Sequence, residues 1–171
     1  KMRFLIIFIF FISSALADDN SIDIKNIVIY EKPKTYNNLS FLDYNRQKVS
    51  IDDFKGKLVM LNFWATWCAP CKEEMPSLDL LQTNSKLDNL EIIPINVGQD
   101  SFEKIQNFFN ELDIKNLQVY FDNPETLAKK FALRGLPTTI VLNKNGKELA
   151  RIIGSIDFNE KKFVDWLTVY N

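Results

Sequence analysis

The chain has 171 residues, 46% of them hydrophobic, and a net charge near −1. That suits one domain with a sizeable core and gives no reason to expect nucleic acid or an anionic membrane surface as a partner. There is no histidine and there are only two cysteines, which removes most metal sites and any Cys-His dyad of the protease kind.

The N-terminus reads as a targeting segment. Lys1 and Arg3 are basic, Phe4 to Ile12 is an unbroken apolar run, and Ala15-Leu16-Ala17 precedes Asp18-Asp19. This is the pattern of an export signal over residues 1–17, with cleavage after Ala17. An uncleaved membrane anchor is the alternative, although the segment is short of the roughly twenty residues a bilayer needs. Either way the domain is exported, and a dithiol there needs an electron supply to stay reduced.

Residues 18–38 are a polar lead-in with scattered isoleucines at 22, 24, 27 and 29. They make either a short strand or a flexible segment. Leu39–Asp43 and Lys48–Ile51 alternate apolar and polar, which predicts a hairpin, with Asn45, a residue type that tolerates positive φ, near its turn. Leu58 to Phe63 is an apolar run fit for a buried central strand.

Trp64-Ala65-Thr66-Trp67-Cys68-Ala69-Pro70-Cys71 follows at once, and then a helical pattern with Met75, Leu78 and Leu81 on one face. A Cys-X-X-Cys at a strand-to-helix junction is how a redox-active dithiol is built. Cys68 falls at the helix N-terminus, where free N–H groups and the macrodipole favour a thiolate. Cys71 lies one turn on, within reach for a disulfide. A zinc site needs about four ligands, and these two cysteines have no histidine to join them. A structural disulfide across so short a gap constrains the unfolded chain very little. Pro76 inside the helix predicts a kink.

Glu91–Val97 is the next strand, and Pro94 within it predicts a bulge. Asp100 and Glu103 are placed to cap a helix whose Phe102, Ile105, Phe108, Phe109 and Leu112 form a core stripe. Gln118–Phe121 is a short strand, and Asn123-Pro124 opens a helix through Leu133. Thr138–Leu142 and Glu148–Ile153 form a hairpin across Lys144-Asn145-Gly146, and Phe163, Trp166, Leu167 and Tyr170 stripe a last helix. Strands alternating with helices imply a parallel portion, and the closing hairpin makes the sheet mixed.

Phe63 to Lys72 resembles the active-site segment of the thioredoxin superfamily. Glu73-Glu74-Met75-Pro76 and Gly135-Leu136-Pro137-Thr138-Thr139 narrow the resemblance to its TlpA/ResA/DsbE branch, extracytoplasmic thiol-disulfide oxidoreductases associated with cytochrome c maturation and related reductive tasks. It extends over about residues 39–170. It implies an α/β thioredoxin-like fold over 39–171: a central mixed sheet flanked by helices, with an N-terminal hairpin and a central βα insertion.

The resemblance also implies roles. Cys68 attacks a substrate disulfide and Cys71 resolves the mixed disulfide. Glu74, three residues after Cys71 on one helix face, accepts the proton of the buried cysteine. Ordinary thioredoxins carry a buried aspartate where this chain has Asn62, which does not titrate. Pro137 matches the family's cis-proline, and the backbone of Leu136 and Thr138 is expected to pair with substrate. Trp67 is expected at the rim and Trp64 in the core.

The expected function is reduction of disulfides in exported proteins, with apocytochrome c among the candidate substrates, a membrane-bound thiol-type electron donor and no cofactor or metal. The localisation is periplasmic or extracytoplasmic. An oxidase or isomerase uses the same cysteines at a higher potential. A metal-binding chaperone of this fold uses a wider cysteine spacing and a histidine, and neither is present.

Overall fold

The structure, a computed structural model, describes residues 26–122 and 126–171. The signal or anchor at 1–17, Ile22, Ile24 and the Asn123-Pro124 helix start lie outside the described residues. In chain order the elements are β1 (Ile27–Lys34), β2 (Ser40–Leu42), β3 (Lys48–Ser50), a 3-10 turn (Ile51–Phe54), β4 (Leu58–Trp64), α1 (Ala69–Gln82), β5 (Leu90–Asn96), α2 (Phe102–Glu111), β6 (Tyr120–Phe121), α3 (Thr126–Lys130), β7 (Thr138–Leu142), β8 (Glu148–Ile153) and α4 (Lys161–Thr168).

All the strands join one sheet in the order β1-β8-β7-β4-β5-β6-β2-β3. The β4–β5 and β5–β6 pairs are parallel and the rest antiparallel. β4 is buried along its whole length because both faces are covered. Leu58, Met60 and Trp64 face a core built with α1, α2 and α4. Val59, Leu61 and Phe63 face a second core with Leu127 and Phe131. Asn62 shares the face of Met60 and Trp64 by the strand's two-residue period, which aims it at α1.

The lead-in resolves as a strand: β1 pairs antiparallel with the outer side of β8. The sheet therefore starts at Ile27, ahead of Leu39. In the first hairpin the positive φ falls on Arg46 (φ 62) and not on Asn45. Its guanidinium lies 3.9 Å from the centroid of the Phe121 ring, a contact that this turn provides.

Pro94 causes no bulge. The β4–β5 register runs unbroken from Leu58↔Leu90 to Trp64↔Asn96. Val97 N–H donates to Trp64 O and Asp122 N–H to Asn96 O, so odd positions of β5 bond β4 and even ones face β6. The missing N–H of Pro94 faces the β6 side, where pairing begins only at Ile95 and Asn96. Before that point the Gln82 side chain lines the edge, accepting from Ile92 N–H at 2.8 Å and donating to Leu90 O at 3.3 Å.

The helix caps also differ from expectation. α2 is capped by Ser101, whose hydroxyl accepts from Lys104 N–H, while Asp100 turns back toward the residues before α1. α3 ends at Lys130, short of Leu133, because Ala132 takes φ 49. Its first turn is held by Asp122, which accepts from the N–H groups of Leu127 and Ala128 at 2.9 and 2.8 Å. α1 continues through Pro76 to Gln82. Its buried Asp79 accepts from the N–H groups of Lys115, Asn116 and Leu117 at 3.1, 2.7 and 3.2 Å, fixing the approach to β6.

Candidate active site

The site forms where β4 gives way to α1. Cys68 is the N-cap of α1, its sulfur 3.3 Å from the Cys71 N–H, with Pro70 inside the first turn where no intrahelical N–H is needed. The two cysteines are joined as a disulfide with Cα atoms 5.3 Å apart. Both are shielded: Cys68 is 5% exposed and Cys71 fully buried. Trp67 stands out at 70% exposure, at the rim of the site. Trp64 is buried and packs on Phe108 and Phe109 of α2, with ring centroids 4.8 and 5.6 Å away.

Glu74 is only 2% exposed, one turn beyond Cys71 on α1. Asn62 Nδ2 donates to Glu74 Oε1 at 2.7 Å and to Thr139 Oγ1 at 2.9 Å. Glu74 Oε2 and Asn62 Oδ1 have no hydrogen-bond partner among the described residues. Burial pushes the Glu74 carboxyl up to about 8, and the Asn62 amide and the Ile156 backbone N–H pull it only part of the way back. Glu73 is exposed. A groove lined by Pro76, Ser77, Leu80 and Ile156 opens beside both glutamates.

The Leu136–Pro137 bond is cis. Thr138 pairs with Phe63, so Pro137 lies just beyond that pair, level with Trp64 and at the same end of the sheet as the cysteines. Thr138 has sheet partners on both sides, Phe63 and Ile153. The Pro137 carbonyl accepts from Gly154 N–H at 2.9 Å. Thr138 thus lies inside the sheet, between β4 and β8.

Sequence reasoning missed a group that touches this site. Asp100 accepts from the N–H and hydroxyl of Thr66 at 2.9 and 2.7 Å, and from Asn96 Nδ2 at 2.9 Å. Its signal was positional only: it follows β5, whose end the topology sets beside that of β4. No helix among the described residues is long and apolar enough to cross a membrane.

Known proteins resemble this arrangement. The family model described as Redoxin matches residues 31–165. Thiol-disulfide oxidoreductase ResA of Bacillus thuringiensis subsp. konkukian is 35% identical over 117 residues, which cover 68% of this chain and 66% of that protein. ResA of Bacillus subtilis is 33% identical over 114 residues, 67% and 63% of the two chains. The chain thus spans just under two thirds of the length of these curated relatives. Among solved structures, a putative thiol:disulfide interchange protein DsbE from Chlorobium tepidum superposes with a TM-score of 0.69 at 21% identity, over 82% of this chain and 97% of that one. StoA from Bacillus subtilis does so with a TM-score of 0.64 at 21% identity, over 79% and 99%. These two likenesses speak to the fold, and it is thioredoxin-like.

Proposed function

This chain belongs to the Redoxin family, and from that premise we propose that it is a thiol-disulfide oxidoreductase that reduces disulfides of exported proteins. The observation that carries the reading is the Cys68–Cys71 pair at the N-terminus of α1 with the buried Glu74 carboxyl one turn behind it. The names of the ResA relatives support the reaction type.

In the reduced protein, the Cys68 thiolate attacks one sulfur of a substrate disulfide. The substrate's other sulfur leaves as a thiolate and takes a proton, and a mixed disulfide to Cys68 remains. Glu74 takes the proton of Cys71, whose thiolate then attacks the Cys68 sulfur and releases the second substrate thiol. Two electrons have passed to the substrate, and the protein is left with the Cys68–Cys71 disulfide. A membrane-bound thiol donor restores the dithiol. The backbone of Leu136 beside Pro137 receives the substrate strand, and Trp67 at the rim contacts it. Cytochrome c apoproteins, with paired heme-attachment cysteines, are the substrates to test first. The basic and apolar N-terminal segment supports an extracytoplasmic location.

The equilibrium potential against glutathione tests the direction. A value near that of thioredoxin, roughly −270 mV, supports a reductase, and one near the strong oxidant at about −120 mV overturns it in favour of an oxidase.

A further inference from the structure

Cys68 stands at the end of a tight turn. Its N–H donates to the Ala65 carbonyl at 3.1 Å, with Thr66 and Trp67 at the two central positions. Nothing else separates β4 from α1, so this turn decides where the Cys68 sulfur stands over the helix N-terminus. The turn is gripped from a segment more than thirty residues later. Asp100 Oδ2 accepts from Thr66 N–H at 2.9 Å, Oδ1 from the Thr66 hydroxyl at 2.7 Å, and Oδ2 also from Asn96 Nδ2 at 2.9 Å.

The backbone beside Asp100 closes in as well. A Cβ on Gly98 would lie 2.7 Å from Ala65 Cβ, 2.7 Å from Asp100 Oδ2 and 3.1 Å from Trp67 Nε1. Only glycine lets this strand end come so near the turn. Asp100 has no task in capping α2, which Ser101 performs. Burial alone would raise the Asp100 carboxyl, but the Thr66 N–H, the Asn96 amide, the Thr66 hydroxyl and the nearby Lys104 together hold it below the usual carboxylate range. It is therefore an anion near neutral pH.

We propose that Asp100 is a positioning residue for the dithiol: its two-oxygen grip on Thr66 sets the Ala65–Cys68 turn, and its negative charge opposes the Cys68 thiolate. This rests on reading Cys68 as the attacking thiol. The charge acts against the favourable helix end, so it keeps the thiolate from being over-stabilised, the condition of a reducing pair. Of the other titratable and charged groups, Lys104 lies near Asp100, Lys72 and Glu73 follow Cys71 on α1, and Glu74 behind it is mostly protonated near neutral pH.

The test uses the reduced protein and three variants. Asp100→Asn keeps the shape, since the Thr66 hydroxyl can turn to accept from the new amide, and removes the charge. Thr66→Val keeps the charge and removes one arm of the grip, and Asp100→Ala removes both. Iodoacetamide alkylation is followed from pH 5 to 9, with the modified cysteine identified by mass spectrometry, alongside the equilibrium potential. Asp100→Asn should move the alkylation midpoint to lower pH and make the potential more oxidising. Thr66→Val and Asp100→Ala should slow exchange with a small aromatic disulfide by about tenfold to a hundredfold, as displacement of a reacting group does. If Asp100→Asn and Thr66→Val melt at lower temperature yet keep the parent's alkylation midpoint, exchange rate and potential, Asp100 is a structural clamp only and the proposal is overturned. Modification of Cys71 instead of Cys68 in the parent protein would overturn the reading beneath it, a separate result.

Discussion

At the scale of single residues, the buried Glu74 carboxyl makes stability depend on pH. Its carboxyl is raised from an ordinary 4.5 to about 8 in the fold, so between those values the native state holds a proton that the unfolded chain has lost. Stability from this residue is whole below about pH 4.5 and is lost as the pH rises through 8, at up to about 1.4 kcal/mol per pH unit. Glu74→Gln should therefore unfold at higher denaturant than the parent at pH 8–9, with the gap closing toward pH 4.5. The same variant should slow thiol-disulfide exchange by about ten- to a few hundred-fold, while Glu73→Gln, on the exposed side, leaves it unchanged. Equal rates for both variants and the parent across pH 6–9 would remove Glu74 from the mechanism. Glu74 could be placed beside Cys71 from the chain because it sits one helical turn on. Asp100 could not be placed in this way, because its partner Thr66 is 34 residues away and no periodicity links the two.

At the scale of elements, α1 serves several neighbours at once: it carries Cys71 and Glu74, its Gln82 lines the edge of β5, and its Asp79 gathers the chain before β6. Asp79→Ala would leave the N–H groups of Lys115, Asn116 and Leu117 without their acceptor. A loss of about 2–3 kcal/mol is expected, read from the urea midpoint. The disulfide should still form, since neither cysteine touches Asp79. Elements with a strong pattern of their own, the unbroken apolar run of β4 and the apolar stripes of α2 and α4, could be read directly from the sequence. Those whose ends depend on a partner could not. β6 has two residues because β5 offers it only Ile95 and Asn96, and α3 stops where Ala132 turns to positive φ. Pro94 looked like an interruption because its harmless direction depends on where β6 begins.

For the whole molecule, the two ends of the described chain leave from opposite ends of the sheet. Asn26 accepts from Ile153 N–H at 3.0 Å, beside the Gly154 that holds Pro137. Asn171 meets Lys86, Asp88 and Asn89, next to the start of β5. The chain thus enters the fold on the side of the dithiol and departs on the far side. A domain joined ahead of Asn26 is therefore attached at the dithiol's end of the sheet, and one joined after Asn171 at the other end. A globular protein fused ahead of Asn26 should slow attack on a folded protein's disulfide and spare a small-molecule disulfide. The same fusion after Asn171 should slow neither. If the two fusions hinder the protein substrate alike, the direction of approach is not the one this entry point dictates.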